Sequence, residues 1–162
     1  MCLRLLSTQP RTRAELAAAL AKQNVPDEAA AAVLARFGEV GLIDDAAFAR
    51  AWVETRHRGR GLARRALAQE LRNRGVDAET AAAALGQVDG ESEAAAARSL
   101  VDRKLASTRG LPTPARLRRL AAMLGRKGYP QGLALRVIRD AIAAEGVATE
   151  GELEVIDASV DQ

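Results

Sequence analysis

Leucines four residues apart mark the first helix that the chain predicts. Leu16 and Leu20 share one face, behind Thr12 and Glu15, whose T-x-x-E spacing is a capping box. Asn24 closes this helix, Pro26 opens the next, and Gly38 or Gly41 ends it. Asp44 or Asp45 caps a helix carrying Phe48, Trp52 and Val53, and Gly59 and Gly61 break the chain after it. Helical spacing resumes from about 62 to 74, with Gly75 as its stop, and Asp77 caps a further helix through Leu85. Beyond "VDGES" a longer helix runs from about 92 to 105. "STRGLPTP" reads as a loop, Thr113 caps a helix ending near Gly128, and Pro130 opens the last, which ends near Gly146. Alternating β-branched runs are absent, so no strand is predicted.

Three of these segments are copies: "LAAALAKQNVP" from Leu16, "LAQELRNRGVD" from Leu67 and "LAAMLGRKGYP" from Leu120. Each has Leu at i and i+4, a residue tolerant of left-handed backbone, an apolar residue and a helix starter. The second leucines, Leu20, Leu71 and Leu124, lie 51 and 53 residues apart. The following helices align as well, at Val33-Leu34, Ala84-Leu85 and Val137-Ile138. Agreement in register at all three places defines an internal repeat of three helices. The expected fold is all-α: tandem, helix-turn-helix-like three-helix repeats stacked into an elongated, curved array. The repeats span 1–43, 44–89 and 90–146, and an acidic stretch over 147–162 reads as a disordered tail.

Composition agrees with close-packed helices: hydrophobic residues make up 48% of the 162 residues but aromatics only 2%, so the core is built from Leu, Val, Ile and Ala. The net charge of +3 hides an asymmetry. From Glu145 onward there are six acids and no Lys or Arg, which leaves 24 basic residues against 15 acids, or +9, in the rest. A basic body implies an anionic or mixed-charge partner.

Several functions are disfavoured by absence. With one cysteine, Cys2, and one histidine, His57, neither an internal disulfide nor a zinc site can be assembled in the usual way. No apolar run approaches the roughly 20 residues that span a bilayer, and "MCLRLLSTQP" lacks the features of a signal peptide, so a cytoplasmic location is expected. Motifs for a phosphate-binding loop, a serine nucleophile elbow or a metalloprotease are missing, so neither catalysis nor a cofactor is expected. Asp44 and Asp45 read as caps and His57 as an exposed imidazole.

The informative stretch is "RHRGRGLARRALAQELRNRG", with seven arginines and one acid, Glu70. Ala63, Leu67 and Leu71 share a helix face, and Arg64, Arg65 and Arg72 lie away from it. Arg56, Arg58 and Arg60 precede this helix and Arg74 ends it. The next repeat follows the same design, with Leu117, Leu120 and Leu124 inward and Arg116, Arg119, Arg126 and Lys127 outward. A solvated face is the plain explanation. Yet too few acids stand at i+4 to pair these cations, and a single-sign patch on equivalent faces suits phosphates or an acidic protein surface. Phe48 and Trp52, four apart, read as core packing rather than a platform for bases, and Phe37 and Tyr129 read the same way.

With these features in view, the chain resembles the RecX family, regulators of the RecA recombinase, over about residues 3–144. "GLIDDAAFARAW" is similar to that family's Gly-apolar-apolar-Asp-Asp-x-x-Phe-Ala signature, and "QELRNRGV" to its Glu-Leu-x-x-basic-Gly-apolar pattern. "RTRAEL" resembles the opening of its first repeat, and "RRLAAMLGRKGY" its third repeat. One departure is Ala63, where the family often has glycine; another is a short N-terminal segment. The resemblance implies tandem three-helix repeats and a non-enzymatic inhibitor. Such a protein lodges in the groove of the RecA filament and suppresses ATP hydrolysis, strand exchange and coprotease activity in DNA repair, recombination and the SOS response. The implied partners are the RecA filament and, weakly or through it, single-stranded DNA, with the chain acting as a monomer. The alternative is a free-standing helix-turn-helix DNA-binding protein, a regulator of transcription or chromatin.

Overall fold

The computed structural model describes residues 1–160, with side chains through Gly146. Among the described residues there are nine α-helices and no strand: α1 (Cys2–Thr8), α2 (Arg13–Lys22), α3 (Asp27–Glu39), α4 (Asp45–Arg60), α5 (Arg64–Asn73), α6 (Ala78–Leu85), α7 (Gly90–Leu105), α8 (Thr113–Arg126) and α9 (Gln131–Val160). A 3₁₀ turn, Ala106–Thr108, follows α7. The chain forms two compact bodies, Met1–Asp89 with α1 to α6 and Gly90–Gln162 with α7 to α9.

The helix-turn-helix copies share one backbone device. Asn24, Gly75 and Gly128 all take positive φ, at 54°, 74° and 91°. Each such turn lets the amide two residues beyond the C-cap fold back onto a helical carbonyl. Val25 N–H donates to Leu20 C=O at 3.2 Å, Val76 to Leu71 at 3.1 Å and Tyr129 to Leu124 at 3.1 Å. This is a Schellman-type closure, in which glycine or asparagine is favoured because other side chains are strained in the left-handed region. It drives Val25, Val76 and Tyr129 back toward the helix they follow, where Val76 and Tyr129 are buried and Val25 packs on a core.

Behind these turns the equivalent leucines form the cores. Leu16, Leu20, Leu34, Ile43 and Cys2 cluster between α1, α2 and α3, with Leu5, Leu6 and Phe37 against them. Ala49, Val53, Leu67, Leu71, Val76, Leu85 and Val88 cluster between α4, α5 and α6. In the second body Val101, Leu105, Leu120, Leu124, Tyr129 and Ile138 are buried. The aligned pairs agree at Leu34, Leu85 and Ile138, whereas Val33 is exposed, unlike Ala84 and Val137.

The sequence misplaced some boundaries. Gly59 lies inside α4, whose stop is Gly61, in the left-handed conformation at φ 64°. Thr113 is the first residue of α8 and Pro112 stands at the cap. Helix α1 is too short to show a hydrophobic period and was not placed from the pattern. Helix α9 is assigned through Val160, past Gly146, and no proline follows that glycine to stop it. The expected disordered tail over 147–162 falls outside the residues whose side chains are described.

Repeats 1 and 2 meet at a tight clasp. Thr12 and Glu15 form the capping box of α2, and the Thr12 hydroxyl also donates to Arg74 C=O at 2.7 Å. Asp44 caps α4 by accepting from Ala47 N–H, while Asp45 accepts from Arg13 N–H at 2.9 Å, tying α4 to the start of α2. A Cβ placed on Gly75 would stand 2.3 Å from Ala14 Cβ. Gly75 is thus required by backbone angle and by contact. Gly75→Ala should destabilise the protein by about 2–4 kcal/mol, the sum of left-handed strain and overpacking. Adding Ala14→Gly should recover about 1 kcal/mol or more through relief of the contact, measured as a coupling energy in a chemical-denaturation cycle. Strict additivity would show that the two residues do not meet.

Candidate partner-binding surface

The lone acid of the arginine-rich stretch is a structural element. Glu70 on α5 accepts from Trp52 Nε1–H of α4 at 2.7 Å, which fixes the indole. Phe48, one turn earlier on α4, stacks on that ring with centroids 5.6 Å apart and 18° between planes. The guanidiniums of Arg56 and Arg74 lie over the same ring, 4.1 and 4.3 Å from its centroid. Arg74 also pairs with Glu15 at 2.7 Å, so the carboxylate that closes the α2 capping box anchors the end of α5. Phe48 and Trp52 are half-buried and pack on the repeat 2 core, as expected, but Trp52 serves equally as a seat for two cations. Position i, i+4 on α4 signals the Phe48–Trp52–Arg56 ladder; the arrival of Arg74 and Glu70 is set by tertiary packing.

The other candidates differ in their surroundings. Arg58 pairs with Glu54 at 2.8 Å, both well exposed, and with Arg60 it stands in the last turn of α4, where the helix dipole favours cations. Arg72 is exposed in the last turn of α5 and donates to Gln69 at 2.6 Å. Arg64 and Arg65 are the anomaly. They open α5, where Ala63 gives no side-chain cap and no acid stands in the first turn. In α2, α3, α4, α6 and α7 the first turn carries Glu15, Asp27 and Glu28, Asp45, Glu79, and Glu91 and Glu93. Two exposed cations at the positive end of a helix oppose its dipole, and α8 and α9 likewise carry no acid in the first turn.

In repeat 3 the expected outward set divides. Arg119 and Arg126 are exposed, and Lys127, half-buried, is the C-cap of α8. Arg116 is turned inward, and the expectation that it lies on the outer face is corrected. Its side chain is only 11% exposed, pairing with Glu145 at 2.6 Å and donating to Thr108 Oγ1 at 3.1 Å and Leu105 C=O. Glu145 also takes Arg109. One carboxylate with two guanidinium partners satisfies the inward charge, and sequence alone could not show it because Glu145 is 29 residues away. His57 is corrected as well: it is half-buried and its Nδ1 lies 2.9 Å from Leu62 C=O, which makes Nδ1–H the donor.

Among the described residues no group of three or more His, Cys, Asp or Glu could hold a metal ion, and no helix is long and apolar enough to cross a membrane.

Comparison with known proteins identifies the architecture. Residues 1–37 match the first three-helix domain of RecX, 44–85 the second and 91–138 the third. The regulatory protein RecX of Streptomyces coelicolor is 61% identical over 150 residues, spanning 93% of this chain and 80% of its own. That of Thermobifida fusca is 58% identical over 150 residues, spanning 93% and 81%, and that of Mycobacterium avium 46% over 146, spanning 90% and 84%. A crystal structure of regulatory protein RecX aligns with TM-score 0.74 at 27% identity, over 86% of this chain and 68% of that one. The RecX structure from Lactobacillus salivarius shares the fold, with TM-score 0.78 at 19% identity over 85% and 90%. The chain belongs to the RecX family of regulatory proteins.

The Arg109 and Arg116 guanidiniums hold the Glu145 carboxyl below its ordinary value of 4.5. A depressed folded-state value means that the stabilisation is present above the unfolded value and lost as pH falls through the folded one. The gap in melting temperature between parent and Glu145→Gln should therefore be full at neutral pH and shrink once pH drops below about 4.5. A gap that is constant down to acid unfolding would mean that the carboxylate charge is not what holds these arginines.

Proposed function

We infer that this protein binds the RecA–single-stranded DNA filament and inhibits RecA ATP hydrolysis, strand exchange and coprotease activity, acting in the bacterial cytoplasm during DNA repair, recombination and the SOS response. The observation that carries this reading is the match of all three RecX three-helix domains in order along the chain, with regulatory RecX relatives up to 61% identical. The protein acts by occupancy rather than by catalysis. Arg64, Arg65 and Arg72 on α5, and separately Arg119 and Arg126 on α8, are exposed cations suited to DNA phosphates or acidic RecA side chains. The uncapped, doubly basic start of α5 supports the same reading, because its charges act against the helix they begin.

That conflict gives a test in which function and stability move apart. In the variant Arg64→Glu, Arg65→Glu, Arg72→Glu, the first two changes favour the helix dipole and the third opposes it, each by about 0.3–1 kcal/mol. The triple variant should melt at or slightly above the parent. In a single-strand-dependent RecA ATPase titration it should have lost inhibition, since like charges across an interface cost several kcal/mol. A folded triple variant as inhibitory as the parent would reduce this face to a solvated one. A parent that leaves RecA unaffected yet prefers one duplex sequence by a factor of about 10³ or more would instead be a transcription regulator.

A further inference from the structure

Beside the Trp52 stack lies a groove of about 560 Å³ between α4 and the Gln9–Pro10 segment. Its charged lining is Arg56, Arg60 and Arg74, with no acidic side chain among the residues that form it. Pro10, Phe48, Ala51 and Trp52 make the rest of its wall largely apolar. We propose that this groove docks an acidic peptide segment of a protein partner, one apolar side chain seated against Phe48 and Ala51 and flanking carboxylates met by Arg56 and Arg60. The proposal deepens the functional reading above and rests on its premise that these arginines belong to the partner-binding face.

Two observations favour a peptide over a nucleic acid strand. A base needs an open aromatic face, and Trp52 is already stacked by Phe48 and overlaid by two guanidiniums. A guanidinium lying on a ring keeps the N–H groups of its plane for a carboxylate or a phosphate alike, so the choice rests on the covered ring and on the wall. The apolar wall has an obvious use for a leucine or valine side chain and none for a phosphodiester backbone. Glu70 is a positioning residue here: through Trp52 Nε1 it sets the ring on which Arg56 and Arg74 lie.

The test uses the full chain and a fluorescein-labelled hexapeptide alternating Glu and Leu, with a Lys/Leu peptide and an oligothymidylate carrying the same label as comparators. Trp52 is the sole tryptophan, so its emission reports on the groove directly. The acidic peptide should bind with a change in tryptophan emission and weaken steeply with salt, and the Lys/Leu peptide should not bind. Ala51→Glu places a competing carboxylate in the groove from an exposed helical position and should weaken binding by about tenfold or more while circular dichroism stays unchanged. Arg56→Gln should weaken it likewise. No binding of the acidic peptide, equal binding of the oligothymidylate, or indifference to both substitutions would overturn the proposal. RecA ATPase titrated in parallel separates the two claims. Inhibition without peptide binding removes the groove and leaves the functional reading, whereas peptide binding without any effect on RecA does the reverse.

Discussion

Carboxylates held between two donors decide how this arginine-rich chain folds. A guanidinium turned inward without a partner costs several kcal/mol, and Glu15 and Glu145 meet two of the arginines that pack against the fold. Glu15 accepts from Thr12 N–H to cap α2 and from Arg74 to bind the end of α5. Glu145 does the same between Arg109 and Arg116. Glu70 takes the indole of Trp52, and the ring in turn seats Arg56 and Arg74. Glu15 and Glu145 thus hold Arg74 and Arg116 against the fold, while Arg109, the other partner of Glu145, stays largely exposed.

That separation links stability to function. Arg116 is enclosed and Arg74 half-buried, both are hydrogen-bonded, and the loss of either would be felt first in the fold. Arg64, Arg65 and Arg119 are exposed, and Arg64 and Arg65 open α5, whose first turn holds no acid. A helix start of that kind contributes little to its own stability.

The repeat was legible because it rests on local chemistry. Leucines at i and i+4 and a left-handed stop at Asn24, Gly75 or Gly128 are visible in any one copy, and the structure places all three stops at positive φ. The capping box at Thr12 and Glu15 and the cap at Asp77 could be read for the same reason. The candidate site was legible only in part. Arg116 and Arg119 look alike in sequence, three residues apart on one amphipathic helix. One is buried because Thr108 and Glu145 approach it, and both come from outside that helix. The second role of Glu15, the seat of His57 against Leu62 and the stacking of Arg74 on Trp52 likewise depend on contacts that no periodicity encodes.

The division of arginines into interior and surface is the central claim, and α8 offers its most direct test in one comparison of thermal melts. Arg116→Gln and Arg119→Gln make the same chemical change one helical turn apart. Arg116→Gln removes a partner of Glu145 and should cost about 2 kcal/mol or more, a drop of several degrees. Arg119→Gln should stay within about 0.5 kcal/mol of the parent. Equal melting temperatures for the two variants would contradict the account.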